Sequence, residues 1–361
     1  MRKESFATTL LKLAAAIFVS LTTITVFFIS LGVVLSILFG VLGTVLGDKS
    51  ETLPPQYKTI YGARGDKLLS LRVNGIILGE RDEAVSPLDV FVGGVTYGYD
   101  LKEQFMDAAE DDSIKGIVLE INSPGGTIYG SRSIADGVAY YQEKTKKPVI
   151  ASISGLGASG GYWVAASTDA IFADYGSTLG SIGVLFGPFQ YYNKVLSVDG
   201  GALIGGVVTQ NGIETTYFTA GKSKDIGSPY RQLTQDEVTQ MQQSVHNEYD
   251  EFVSFISTRR KIPEQQLRDR IGAMIYENKR AQELRLINGT KNKQDAYEEL
   301  AKRAGIDGEF YVVGLRQEPA LAQLLFESVL KNRLVPSVNS CPAQLFSTVL
   351  VYFGDLTLLC K

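Results

Sequence analysis

The sequence predicts an α/β protein organised on a parallel sheet, preceded by an N-terminal transmembrane helix. Two observations predict the sheet. Short apolar runs of strand character alternate along the chain with segments of helical spacing. Glycine-rich turns fall just after strand runs, where open parallel sheets place their sites. The transmembrane helix follows from an N-terminal stretch without charge.

From Leu13 to Gly47 no charged residue occurs, 35 positions against the about 20 needed to cross a bilayer. The excess allows a tilted span with an extension, or a tight two-helix hairpin. It is far longer than the apolar core of a cleaved signal sequence. Arg2, Lys3 and Lys12 precede the run, while Asp48, Lys49 and Glu51 follow it. The positive-inside bias puts the N-terminus in the cytoplasm and the rest outside it. The expected location is the cell membrane, single-pass, with membrane lipid as a partner. The expected organisation is a cytoplasmic N-terminus and transmembrane segment over 1–50, a linker over 51–66 containing Pro54-Pro55, a folded domain over 67–318 and a C-terminal extension over 319–361.

Within the folded domain, Leu68 to Val73 reads as a first strand, and Gly75 to Gly98 as loop. Tyr99 to Asp111 has helical spacing, with Leu101, Phe105 and Ala108-Ala109 on one side and acids on the other. Gly116 to Ile121 reads as a buried strand ending at the turn Asn122-Ser123-Pro124-Gly125-Gly126. Ile128 to Lys144 is an amphipathic helix. Pro148 to Ser154 is the next strand, Ser159 begins the next helix, and Ala170 to Ala173 is a short strand. Val195 to Thr219 is glycine-rich and of uncertain course. Thr234 to Lys261 is a long helix carrying Val238, Met241, Val245, Tyr249, Phe252, Val253 and Ile256, and Thr234-Gln235-Asp236-Glu237 opens it as a capping box. In the tail, Leu345 to Phe353 is too short for a span.

Hydrophobic content of 45% and a formal charge of -4 describe an ordinary folded protein with no basic bias toward nucleic acid. The two cysteines, Cys341 and Cys360, lack the spacing of a zinc site, and no metal or cofactor is expected. A disulfide outside the cytoplasm and two free thiols both remain open. The single histidine, His246, lies in a polar helical stretch and reads as part of a solvated face. A Ser-His-Asp triad would have to use it, so a serine nucleophile here needs another base, and lysine is the available type.

The candidate nucleophile is Ser159, within Gly155-Leu156-Gly157-Ala158-Ser159-Gly160-Gly161-Tyr162-Trp163. A serine between a strand and a helix, flanked by glycines, has room for tight backbone geometry and for close approach of a ligand. Three further segments accompany it in order: Ile121-Asn122-Ser123-Pro124-Gly125-Gly126, Gly180-Ser181-Ile182-Gly183-Val184 and Ala220-Gly221-Lys222-Ser223-Lys224-Asp225. Together they resemble the bacterial signal peptide peptidases of the SppA type, membrane-bound serine–lysine peptidases. The resemblance runs from about Leu68 to Gly308.

The resemblance implies a Clp protease/crotonase-like fold of repeated ββα units and makes 67–318 a peptidase domain. It implies a membrane-anchored serine endopeptidase that uses a Ser-Lys dyad to degrade residual signal peptides or other extended membrane-associated peptides. Ser159 would attack the scissile carbonyl. The family pattern of a glycine, two variable residues and the base lysine selects Lys224 over Lys222, with Asp225 following. A lysine base must be neutral, so its pKa must fall from about 10.4 by roughly two to three units near neutral pH; its amine is expected to be buried in the assembled enzyme, with Asp225 turned away. Ser181 would orient that amine. Gly160 and either Gly126 or Gly125 would hold the oxyanion through backbone N–H groups. A segment from Ala281 to Ala296-Tyr297 also fits, with Arg285 where the family has glycine and Asn288 where it has aspartate, both structural. Relatives of this length form rings in which serine and lysine meet across subunits, so a homo-oligomeric ring admitting extended peptides is implied. The C-terminal region would supply a groove strand or an interface segment, a membrane-surface segment being the alternative. Two rival functions share these features: a crotonase-type acyl-CoA enzyme and a catalytically inactive membrane scaffold.

Overall fold

The computed structural model describes residues 57–80, 94–187, 189, 197–198, 207–208, 220–228, 231–315 and 350–352, with positions 23, 27, 30 and 31 near the N-terminus. The chain divides into a unit of residues Met1–Gln56 and a unit of residues Tyr57–Lys361. Most of the 13–47 run, the 195–219 stretch, both cysteines and most of the C-terminal extension lie outside the described residues. Among the described residues no helix is long and apolar enough to cross a membrane.

The elements run as β1 (Tyr57–Tyr61), β2 (Asp66–Leu78), β3 (Val95–Tyr97), α1 (Gly98–Glu110), β4 (Ile114–Thr127), α2 (Ile128–Thr145), β5 (Val149–Ala158), α3 (Gly160–Ala166), β6 (Ala170–Ala173), β7 (Thr178–Gly180), β8 (Ser197–Val198) and β9 (Val207–Val208). They continue as α4 (Gln235–Arg260), α5 (Glu264–Gln266) with a following π-turn (Leu267–Ile271), β10 (Ile275–Glu277), α6 (Asn278–Glu283), β11 (Gly289–Thr290), α7 (Lys293–Arg303), β12 (Phe310–Leu315) and β13 (Leu350–Tyr352). The main sheet runs β1-β12-β2-β4-β5-β6-β11, and every pairing from β12 to β11 is parallel. The expected α/β class and parallel sheet are observed.

The sheet is buried on both faces, which is why its strands read as predominantly apolar runs with few interruptions. Alternate residues separate into two cores. Leu69, Ile117, Leu119, Ala151 and Ile153 face α1, α2, α3 and α4. Leu68, Val118 and Ile150 face Ala296, Tyr297 and Leu300 of α7. Trp163 of α3 stacks on Phe252 of α4 with ring centroids 4.5 Å apart, tying the helix after Ser159 to the long helix.

Three strand boundaries differ from expectation, for one reason. β2 runs on to Leu78, β4 runs through Ser123-Pro124-Gly125-Gly126 to Thr127, and β5 runs to Ala158. The register of each pair slips near the middle, between Asn74 and Ile76 and between Ile121 and Ser123. Beyond the slip the strands acquire new partners: β3 on β2, β7 on β5 and β13 on β4. Each long strand is thus two short strands in series. In β4–α2 and β5–α3 the pair is followed directly by a helix, which is the ββα unit. The Ser-Pro-Gly-Gly segment is strand rather than turn because close neighbours pair on both sides of it.

The capping box of α4 is present, with Thr234 Oγ1 accepting from the Glu237 amide at 3.3 Å and Glu237 Oε2 accepting from the Thr234 amide at 2.8 Å. Only the C-terminal half of α4 packs inward. Phe252, Val253 and Ile256 are fully buried, whereas Val238 is 41% exposed and Met241 and Val245 are half-buried. Of the apolar residues carried by the helix, those from about Tyr249 onward face the core.

Candidate active site

Ser159 sits between β5 and α3 with φ 53° and ψ -117°. That conformation is unfavourable for a residue with a Cβ. It is held by two backbone bonds: the Ser159 amide donates to Gly180 O at 2.8 Å, and the Trp163 amide donates to Ser159 O at 2.9 Å. The side chain is fully buried. Its hydroxyl has no hydrogen-bond partner among the described residues. A buried hydroxyl without a partner costs stability, and strain of this kind collects at functional sites.

The second half of β4 packs against this elbow. Ser123 pairs with Gly157, and a Cβ on Gly161 would lie 2.8 Å from Ser123 O. Gly126 is pressed against β2, where a Cβ would come within 2.0 Å of Ile77 O. Gly125 has φ 97°, and its amide donates to Ser123 Oγ at 3.0 Å. Ser123 itself donates to Gly75 O at 2.6 Å. The Gly125 N–H is therefore engaged within the protein, and Gly126 is paired with Ile77 of β2 and Val351 of β13.

Ser181 follows β7, which pairs with the end of β5 through Ala158 and Gly180. Ser181 is buried with φ 54°, and its amide donates to Met274 O at 2.8 Å. Ser159 and Ser181 thus leave from the same end of one parallel strand pairing, each directly after its last pair. An apolar pocket opens beyond Ser181, lined by Ile182, Val184, Val245, Tyr249 and His246. His246 is exposed, and its ring contacts Gln242 O of its own helix at 2.7 Å, in keeping with a solvated face.

Lys224 lies in a tight turn before α4. It is exposed and forms no ion pair or hydrogen bond through its side chain among the described residues. A single chain therefore does not join the Ser159 hydroxyl to the Lys224 amine, and the burial expected of that amine is not met within one chain. Asp225 turns away from Lys224, as expected, and pairs with Arg231 at 2.7 Å. Lys222 pairs with Asp236 at 2.6 Å, which raises its pKa through the hydrogen bond to that carboxylate. Of the two lysines, Lys224 is the one whose charge is not already matched by an acid.

Two contributors escape sequence reasoning: Met274, through its carbonyl, and Arg231. Each acts through a contact distant in sequence or through the backbone, and no local pattern signals it. The two substituted family positions are structural. Asn288 Oδ1 accepts from the Ile171 amide at 2.9 Å. Arg285 has φ 62°, a conformation that favours glycine.

The model of peptidase family S49 matches residues 141–307, and that of the Clp proteases matches residues 98–171. A candidate protease of Methanocaldococcus jannaschii is 33% identical over 221 residues, 61% of this chain and 66% of that one. A chain from Enterococcus faecium named as a signal peptide peptidase of the SppA type is 29% identical over 241 residues, 67% of this chain and 64% of that one. The chain thus spans just under two thirds of the length of these relatives. Among solved structures, a ClpP1 point mutant from Listeria monocytogenes aligns at 11% identity with a TM-score of 0.38, covering 63% of this chain and 92% of that one. With the Clp-protease match over its first ββα units and the S49 match over the elbow and the lysine turn, the chain resembles peptidase family S49 and its SppA-type peptidases over this region.

Proposed function

We propose that the protein is a membrane-anchored serine endopeptidase in which Ser159 and Lys224 form the catalytic dyad. The observation that carries this is the Ser159 hydroxyl, fully buried, without a partner and held on a strained elbow. In the proposed reaction Ser159 Oγ attacks the scissile carbonyl while the neutral Lys224 amine takes the hydroxyl proton. The oxyanion is held by the Gly160 and Gly126 N–H groups. Collapse breaks the C–N bond, and the lysine gives its proton to the leaving amine. Water, deprotonated by the same lysine, then hydrolyses the acyl-serine. Ser181 keeps the amine oriented between steps.

Lys224 is exposed in one chain, so the dyad is assembled by a second copy, in a ring. The half-unpacked face of α4, with Val238 exposed, supports a partner copy in that region. Substrate peptides bind as an added strand. Support comes from β13, which lies antiparallel on Gly125, Gly126 and Thr127, so this edge of β4 accepts a strand. The apolar pocket beyond Ser181 suits an apolar side chain, as in signal peptides. The 13–47 run carries the membrane anchor.

The test is cleavage of a synthetic signal peptide by the full chain, with fluorophosphonate labelling in parallel. The parent is expected to cleave and to label. Ser159→Ala should lose both, and Lys224→Ala should lose cleavage. An unlabelled parent, as expected of an acyl-CoA enzyme or an inactive scaffold, or undiminished cleavage by Ser159→Ala, refutes the assignment.

A further inference from the structure

The turn that carries Lys224 is fastened on both sides of that residue to one arginine and one glutamate. Arg231 makes two parallel bonds to Asp225, Nε to Oδ2 at 2.7 Å and Nη2 to Oδ1 at 2.8 Å. It makes two more to Glu237, Nη1 to Oε2 and Nη2 to Oε1, both at 2.9 Å. Its Nη1 also donates to Gln232 O at 3.0 Å. Glu237 is buried at the first turn of α4 and also interacts with the Ser223 hydroxyl. Ser223 and Asp225 flank Lys224, so both neighbours of the lysine are tied to the same hub. Ser223 has φ 64°, a conformation costly for a residue with a Cβ, which persists only where surrounding contacts over-determine it.

The charge arrangement has a chemical consequence. The turn and the start of α4 bring together Lys222, Lys224, Asp225, Arg231, Asp236 and Glu237. Lys222 is matched with Asp236, and Arg231 with Asp225 and Glu237 together. Every carboxylate of the cluster is occupied, and Lys224 has none among the described residues. Without Arg231, Asp225 would stand next to the lysine with an unmatched charge. A carboxylate within about 4–6 Å stabilises an ammonium.

We propose that Arg231 is the positioning residue of the catalytic base: by engaging Asp225 and Glu237 at once it aims Lys224 outward and keeps every carboxylate of the turn away from its amine. This rests on the reading of Lys224 as the base. A lysine cannot replace Arg231, because one ammonium cannot span two carboxylates with paired bonds.

The experiment measures kcat/KM against pH for a fluorogenic apolar peptide. It compares the parent, Arg231→Met, Arg231→Lys, Arg231→Met combined with Asp225→Asn, and Lys224→Ala. Emission of Trp163 reports folding. The rising limb of the profile reflects deprotonation of the base. In Arg231→Met it should move up by about one pH unit, a loss of about tenfold at a fixed pH below it. Arg231→Lys should move it the same way. Adding Asp225→Asn should return the limb toward the parent's position, which a merely structural role of Arg231 would not produce. A limb that stays in place in Arg231→Met overturns the proposal; if that variant does not fold, Arg231→Lys decides by the same criterion. Undiminished cleavage by Lys224→Ala overturns the dyad and this inference with it. Abolished cleavage in Lys224→Ala with an unmoved limb in the Arg231 variants overturns the positioning role alone.

Discussion

Replacing Ser159 by glycine removes the proposed nucleophile, and the structure predicts that it also stabilises the fold. Two costs are relieved together. The backbone at φ 53° and ψ -117° is strained for serine by about 1–3 kcal/mol. It is close to the mirror image of an extended conformation, which glycine adopts freely. The buried, unpartnered hydroxyl carries a further cost of about 1–3 kcal/mol. Against these stands the larger conformational freedom of glycine in the unfolded chain, about 0.5–1 kcal/mol. The expected net gain is about 2–3 kcal/mol for Ser159→Gly. Ser159→Ala keeps the strain and relieves only the hydroxyl, for a gain of about 1–2 kcal/mol. Urea titration of the full chain reads the difference. The chain has one tryptophan, and Trp163 is buried four residues after Ser159, so its emission follows this region. A glycine variant no more stable than the alanine variant would refute the reasoning from backbone strain.

Three further outcomes follow from other parts of the molecule. Arg285→Gly should stabilise by about 0.5–1 kcal/mol, because its positive φ costs an exposed arginine about 1–2 kcal/mol and glycine gives part of that back in chain entropy; urea titration measures it, and a loss of stability contradicts it. Burial works to raise the Glu120 pKa, but bonds from Lys293, Tyr297 and Ser70 outweigh it and lower the pKa. A lowered folded-state pKa contributes stability that is full above the unfolded value, about 4.3, and is lost as pH falls through the folded one. Glu120→Gln should therefore cost about 1–3 kcal/mol at neutral pH and flatten the loss of stability below about pH 4, as followed by urea titrations at several pH values. A chain ending at Val349 lacks β13 and leaves the Gly125–Thr127 edge open. It should lower KM for extended peptides with kcat little changed, and an unchanged or raised KM contradicts binding by strand addition at this edge.

The sheet was legible in the sequence because its strands are buried on both faces. Ile117 to Ile121 and Val149 to Ile153 show as apolar runs broken only by Glu120 and Ser152, and α1 and α2 show through their spacing. The second halves of the strands were not legible. Gly125 and Gly126 look like turn residues, yet they sit in a strand; at Gly126 a neighbour approaches too closely for a side chain, a distance that belongs to the assembled sheet. On α4, spacing identifies an apolar face without saying what covers it. Ser159 stood out through its glycine neighbours and Ser181 through the resemblance, and both are buried in the structure. Arg231 was not, because Glu237 already had a sufficient local explanation as a capping residue. Its second role arises only when the preceding turn folds back onto α4.

The pairing of Ala158 with Gly180 has a consequence for how the family can vary. The Gly180 carbonyl receives the Ser159 amide, and Ser181 is the next residue along. The separation of the two serines is therefore inherited from a single peptide unit. An insertion between Thr178 and Ser181 would displace the second serine and detach the first in the same event. Length changes should instead be tolerated downstream, and an inventory of homologous chains should find β7 without gaps.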